Sequence, residues 1–156
     1  MTTSSVLLTT LDGLLGLGRE SATVEFKSNW DKPEDIGAYL SALANSAALD
    51  GHDRAWLVWG VDTTHQVKGT TFDPFAAKGA GNQTLIMWLT QMTAPRPDFT
   101  FHEVMHPEGR VVMMEMHPPR LTPLAFKGVR YIRVGSHKTR LSDHPDKEAR
   151  LWKKLE

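Results

Sequence analysis

The run Ala55-Trp-Leu-Val-Trp-Gly-Val61 most limits how this chain can fold. It is too short for a buried helix and lacks the polar alternation of a half-exposed strand, so it reads as a strand covered on both faces. The fold must be built around a central strand here. Asp62 closes the run, and a strand-terminal aspartate most simply starts the turn that follows, Thr63-Thr-His65.

The flanking segments supply partners for that strand. Leu7, Leu8, Leu11, Leu14 and Leu15 recur at helical spacing within residues 4 to 15, with Gly16 and Gly18 as stops. Thr23 to Ser28 reads as a strand with Val24 and Phe26 on one face and Glu25 and Lys27 on the other. Asp31-Lys-Pro-Glu34 resembles a capping box, which places an N-cap at Asp31 and a helix after it. Ile36, Leu40, Leu43 and Ala47 form the buried stripe of that helix, while Gly37, Ala38, Ala42 and Ala44 let it lie close to a sheet. Asn45 and Ser46 fall near the end of that face and are expected to be buried and to serve backbone groups.

Further on, Gln66 to Thr70 is expected to pair as a strand, and Asn82 to cap a helix from Gln83 to Gln91. Phe99 to Met105 and Arg110 to Met116 form a hairpin across Pro107-Glu-Gly109. Leu124 to Phe126 and Val129 to Val134 form a second hairpin at a sheet edge. Gly135 to Arg140 reads as a polar basic loop, and His144 to Glu156 as a closing helix with Leu151, Trp152 and Leu155 inward. The expected architecture is α+β: a mixed, mostly antiparallel sheet of about five or six strands with three or four packed helices. Residues 1–156 are one domain's worth of chain.

Several functions are disfavoured by what the sequence lacks. No apolar run approaches the roughly 18 residues of a membrane span. No cysteine is present, which excludes zinc-thiolate sites and, with no secretory signal at the N-terminus, fits a cytoplasmic location. Lys78-Gly-Ala-Gly-Asn82 is glycine-rich, but no Gly-x4-Gly-Lys-Ser/Thr occurs, so no nucleotide site of that kind is expected. His102, His106 and His117 have no tight metal-ligand spacing and read as surface or cross-strand residues.

The formal net charge is zero, yet its distribution is uneven. From Arg120 onward there are ten Lys/Arg and four Asp/Glu, a local net of +6, which leaves −6 for residues 1 to 119. The basic third offers Arg130, Arg133, Ser136, Lys138 and Arg140 as contacts for a nucleic-acid backbone, and it is equally compatible with an ordinary solvated surface.

The acidic candidates lie earlier, in Arg19-Glu-Ser-Ala-Thr-Val-Glu25-Phe-Lys27 and at Asp62. Glu20 and Glu25 are five residues apart, so on one straight strand they point to opposite faces, and they share a site only if the chain bends at Ser21-Ala22. Three converged carboxylates repel one another unless a hard divalent cation lies among them, which would imply Mg²⁺ or Mn²⁺. Solvated strand ends remain the simpler reading of all three.

The order Glu20-x4-Glu25-Phe-Lys27, then Asp35-Ile-Gly-Ala-Tyr-Leu-Ser-Ala-Leu-Ala-Asn45-Ser, then Leu57-Val-Trp-Gly-Val-Asp62 resembles the Schlafen-type, AlbA-like domain. Val67-Lys-Gly-Thr, Gly81-Asn-Gln, Tyr131-Ile-Arg-Val-Gly-Ser136 and Arg150-Leu-Trp continue the likeness, so that residues 17–156 form the best-matching part. The resemblance implies a nucleic-acid-binding domain acting as a metal-dependent endonuclease, with RNA, tRNA-like, preferred and with RNA or single-stranded DNA as the partner. In that reading Glu20, Glu25 and Asp62 hold the metal and Lys27 neutralises the phosphoryl oxygens. Vertebrate relatives fuse two copies of the lobe, so a single lobe implies a homodimer. Bacterial relatives often carry further domains, which gives the alternative: a noncatalytic DNA- or RNA-binding or dimerisation module of a larger regulatory protein.

Overall fold

The computed structural model describes residues 3–17 and 21–156. In chain order it has α1 (Thr3–Leu15), β1 (Val24–Lys27), α2 (Pro33–Asp50), β2 (Ala55–Trp59), α3 (Leu85–Met92), β3 (Thr93–Ala94), β4 (Phe99–His106), β5 (Gly109–Met116), β6 (Ala125–Phe126), β7 (Val129–Val134), β8 (His137–Arg140) and α4 (Pro145–Lys154). The α+β class is as expected, and the strands divide between two four-stranded sheets, β1-β2-β5-β4 and β3-β6-β7-β8. Among the described residues no helix is long and apolar enough to cross a membrane.

In the first sheet β1 and β2 run parallel, with Glu25 opposite Leu57 and Lys27 opposite Trp59, while β5 pairs antiparallel with both β2 and β4. β2 is buried along its whole length, as a strand without alternation must be. Its side chains feed two cores. Leu57 and Trp59 join Val112, Met114 and Phe101 beneath α2, and Trp56 and Val58 join Val24, Phe26 and Met113 beneath Leu7 and Leu11 of α1.

α2 separates the two sheets, and 13 of its 18 residues are buried. Its apolar stripe faces the first sheet, whereas its polar side chains meet the second. Ser41 Oγ donates to Leu124 O (2.7 Å) and accepts from Tyr131 N (2.9 Å). Asn45 Nδ2 donates to Leu124 O and Tyr131 O, its Oδ1 accepts from Leu124 N, and Ser46 Oγ accepts from Arg133 N. Asn45 and Ser46 thus serve backbone groups, as expected, but from the side of the helix away from the apolar stripe, and they fasten the second sheet to it. Gly37 allows the approach: a Cβ there would lie 2.2 Å from the Phe126 ring. A third cluster, Leu49, Ile132, Leu141 and Leu151, seats α4.

Several local expectations are corrected. The N-cap of α2 is Lys32 with no side-chain cap bond, because Pro33 sits at the first turn and fixes the entry without a carboxylate. Thr84, not Asn82, caps α3 by accepting from Met87 N. Residues 66–70 make only a bridge, Val61 to Val67, since Gly60 and Gly69 turn the backbone out of strand geometry with φ of 102° and 88°. The Gly135 to Arg140 loop is a hairpin arm: β8 pairs with β7, Arg133 opposite Lys138 and Val134 opposite His137. Trp152 faces outward, with the Arg130 guanidinium 5.1 Å from its ring centroid.

Candidate functional site

Parallel pairing brings the C-terminal ends of β1 and β2 side by side, and the chain leaves them through Ser28 and through Val61-Asp62. The β7–β8 turn, Gly135-Ser136, reaches the same end. Between them is a cleft of about 680 Å³, with Glu25, Lys27, Asp62, His65 and Ser136 in its lining. Glu25 and Asp62 therefore share one space. A second cleft of about 660 Å³ lies at the other end of β2, where Arg54 enters the strand, beside Arg96 and Arg120. Neither Glu25 nor Asp62 lines it.

Glu25 is not a bare acid. Arg133 Nη1 donates to its Oε2 at 2.8 Å and Lys27 Nζ lies 3.6 Å from Oε1. The Arg133 side chain is fully buried and Glu25 is 6% exposed, and Nη2 also donates to Ser21 O and Val24 O. The expectation that Arg133 contacts nucleic acid is thus corrected. A carboxylate buried on β1 needs a counter-charge, and β7 supplies it by turning this arginine inward. Beside the pair, the Tyr39 ring centroid lies 5.0 Å from Lys27 Nζ, 4.6 Å from Lys138 Nζ and 5.8 Å from Arg133 Cζ, and Trp30 meets Tyr39 edge-on.

Asp62 organises its own turn. Its Oδ1 accepts from Thr64 Oγ1 (2.7 Å), Thr64 N (2.9 Å) and Gln66 N (3.0 Å). The Thr64 hydroxyl first, and then the Gln66 amide, hold its carboxyl below the usual carboxylate range. The turn reading of Asp62 is borne out locally, and its shared lining with Glu25 is what the turn reading alone does not explain.

Glu20 lies outside the described residues. Among the described residues no group of three His, Asp or Glu side chains is placed to hold a metal ion. Glu25 already faces two cations, and one oxygen of Asp62 is committed to its turn. The described residues therefore do not by themselves fit a divalent cation centre.

The remaining basic candidates divide along the β7–β8 hairpin. Ser136 is exposed at the tip in the cleft, and Lys138, 3.6 Å from Asp35, lies just behind it. Arg130 and Arg140 are exposed at the hairpin's far end, about 15 Å back at the rise of an extended chain. The sequence asymmetry of charge is partly cancelled in space, because Lys127, Arg133 and Lys138 pair with Glu34, Glu25 and Asp35. Sequence reasoning passed over Tyr39 and His65. A tyrosine among helical core residues and a histidine in a turn carry no signal until the strand ends are brought together.

The chain matches the family described as Schlafen, AlbA_2 over residues 20–142. No curated protein matches it. Ten solved chains match, among them the DIP2311 protein from Corynebacterium diphtheriae, at 18% identity and a TM-score of 0.47 over 87% of this chain and 26% of that one. This chain therefore spans about a quarter of that protein. Another is the N-terminal domain of a RecG-related protein from Nitrosomonas europaea, at 21% identity and a TM-score of 0.49 over 89% of this chain and 93% of that one.

Proposed function

The chain belongs to the Schlafen, AlbA_2 family, and on that premise we propose that it is a nucleic-acid-binding domain. The observation that carries the reading is the cleft where β1, β2 and the β7–β8 tip meet, from which the hairpin leads back to Arg130 and Arg140. Glu25 does not repel a polyanion there, because Arg133 offsets its charge. A backbone entering at the tip meets the Ser136 hydroxyl, then Lys138, then the two exposed guanidinia, which suit phosphates and carry no sequence information.

Binding of this kind releases counterions. With Lys138, Arg130 and Arg140 each neutralising one phosphate of a single strand, affinity is expected to fall about 20-fold between 50 and 200 mM salt. Lys138→Glu combined with Arg140→Glu weakens binding to all sequences alike, and Arg133 is left unaltered because it is buried. Fluorescence anisotropy at several salt concentrations checks both. Affinity that ignores salt, or that survives the double reversal, places the nucleic acid elsewhere.

Metal-dependent cleavage, with RNA preferred, is the second reading, and the shared placement of Glu25 and Asp62 in one cleft favours it. It requires Glu20 to join them. Incubating the purified chain with labelled tRNA and with single-stranded DNA, in Mn²⁺, Mg²⁺ or EDTA, separates the two readings. Cleavage that EDTA stops establishes the second, and binding without cleavage leaves the first.

A further inference from the structure

On the reading that the cleft holds nucleic acid, we propose that His65 is its base-stacking residue and that the cleft takes up an unpaired nucleotide. His65 is one of two described non-glycine residues with positive φ, at 63°, a conformation that favours glycine. Its turn does not use the imidazole: the bonds that close it run from Thr64, Gln66 and the His65 backbone N–H to Asp62. Neither ring nitrogen has a partner among the described residues. A non-glycine residue held at positive φ in a cleft, with ring nitrogens that its turn does not bond, points to a ligand.

The surroundings say which part of the ligand. The His65 ring lies against Phe26, centroids 5.0 Å apart and planes inclined at 48°, and Phe26 is itself only 5% exposed. The imidazole is thereby backed by a buried ring while the residue lines the cleft with Lys27 and Ser136. That is a small aromatic platform beside a cation and a hydroxyl, which suits a base on the ring and its phosphate toward Lys27. In a duplex both faces of each base are covered by its neighbours, so the platform can serve only a nucleotide that is unpaired or turned out of the stack.

The test uses the whole chain and labelled single strands of about 12 nucleotides, DNA and RNA, with the matching duplexes. Wild type is expected to prefer the single strands. His65→Gly relieves the backbone, so it should melt at or above the wild-type temperature, yet bind single strands about tenfold more weakly. His65→Phe retains a flat ring and should stay within about threefold of wild type. A His65→Gly variant that binds as wild type does overturns the proposal while nucleic-acid binding stands. So does equal affinity for duplex, or a His65→Phe variant that loses as much as glycine. A wild-type chain that binds neither form sinks the proposal together with the reading it rests on.

Discussion

Arg133→Met is expected to cost about 3–5 kcal/mol of stability, the usual effect of removing one partner of a buried ion pair. For a chain of this length that is a fall of roughly 10 °C in melting temperature. The substitution leaves the 6%-exposed Glu25 carboxylate with Lys27 at 3.6 Å, and it removes the donor to Ser21 O and Val24 O. Glu25→Leu combined with Arg133→Met should recover most of the loss, because apolar groups of similar volume often replace a buried pair at little cost. Urea unfolding of the two variants beside wild type checks this, and an Arg133→Met variant within about 1 kcal/mol of wild type refutes the buried pair. The result also governs how the site is probed. Glu25→Gln changes the charge facing a buried guanidinium, so lost activity in that variant is interpretable only beside its melting curve.

The second large effect is expected at Asn45, which is fully buried. Asn45→Leu keeps the branched shape but leaves Leu124 N and Tyr131 O without the bonds of 2.7 and 2.8 Å that they make to it. Each orphaned buried group costs about 1–3 kcal/mol, so a loss of about 3–5 kcal/mol is expected. In Ser41→Ala, Leu124 O keeps the Asn45 amide and only Tyr131 N loses its acceptor, which makes this the milder change at about 1–2 kcal/mol. Because these bonds hold the second sheet to α2, amide exchange should accelerate at Tyr131 and Arg133 before it does in β2. An Asn45→Leu chain as stable as wild type, or uniform exchange across both sheets, would show that the second sheet is held by apolar packing alone.

Much of this fold was legible in the chain because local patterns carry it. The apolar run at 55–61 required a strand with both faces covered, and β2 lies buried between α1 and α2. Turn chemistry placed the β4–β5 and β6–β7 hairpins, and Gly51 in the left-handed region ends α2. The division into two sheets was not legible, since it depends on α2 presenting apolar residues to one side and Ser41, Asn45 and Ser46 to the other. Helical periodicity marks which positions are buried, not what covers them.

The site divides in the same way. The sequence alone determined that acids and a lysine flank strand ends, that Asp62 starts a turn, and that the last third is basic. Only the tertiary structure decided which of these charges face solvent. Arg130, Arg133 and Arg140 look alike in the sequence, yet one lies on an exposed tryptophan, one is buried against Glu25, and one is exposed at the hairpin end. The reason is the range of each force. Turn and strand preferences act over a few residues and are written locally, whereas a buried charge is settled by whichever counter-charge the packed chain brings within about 3 Å, here from 108 residues away.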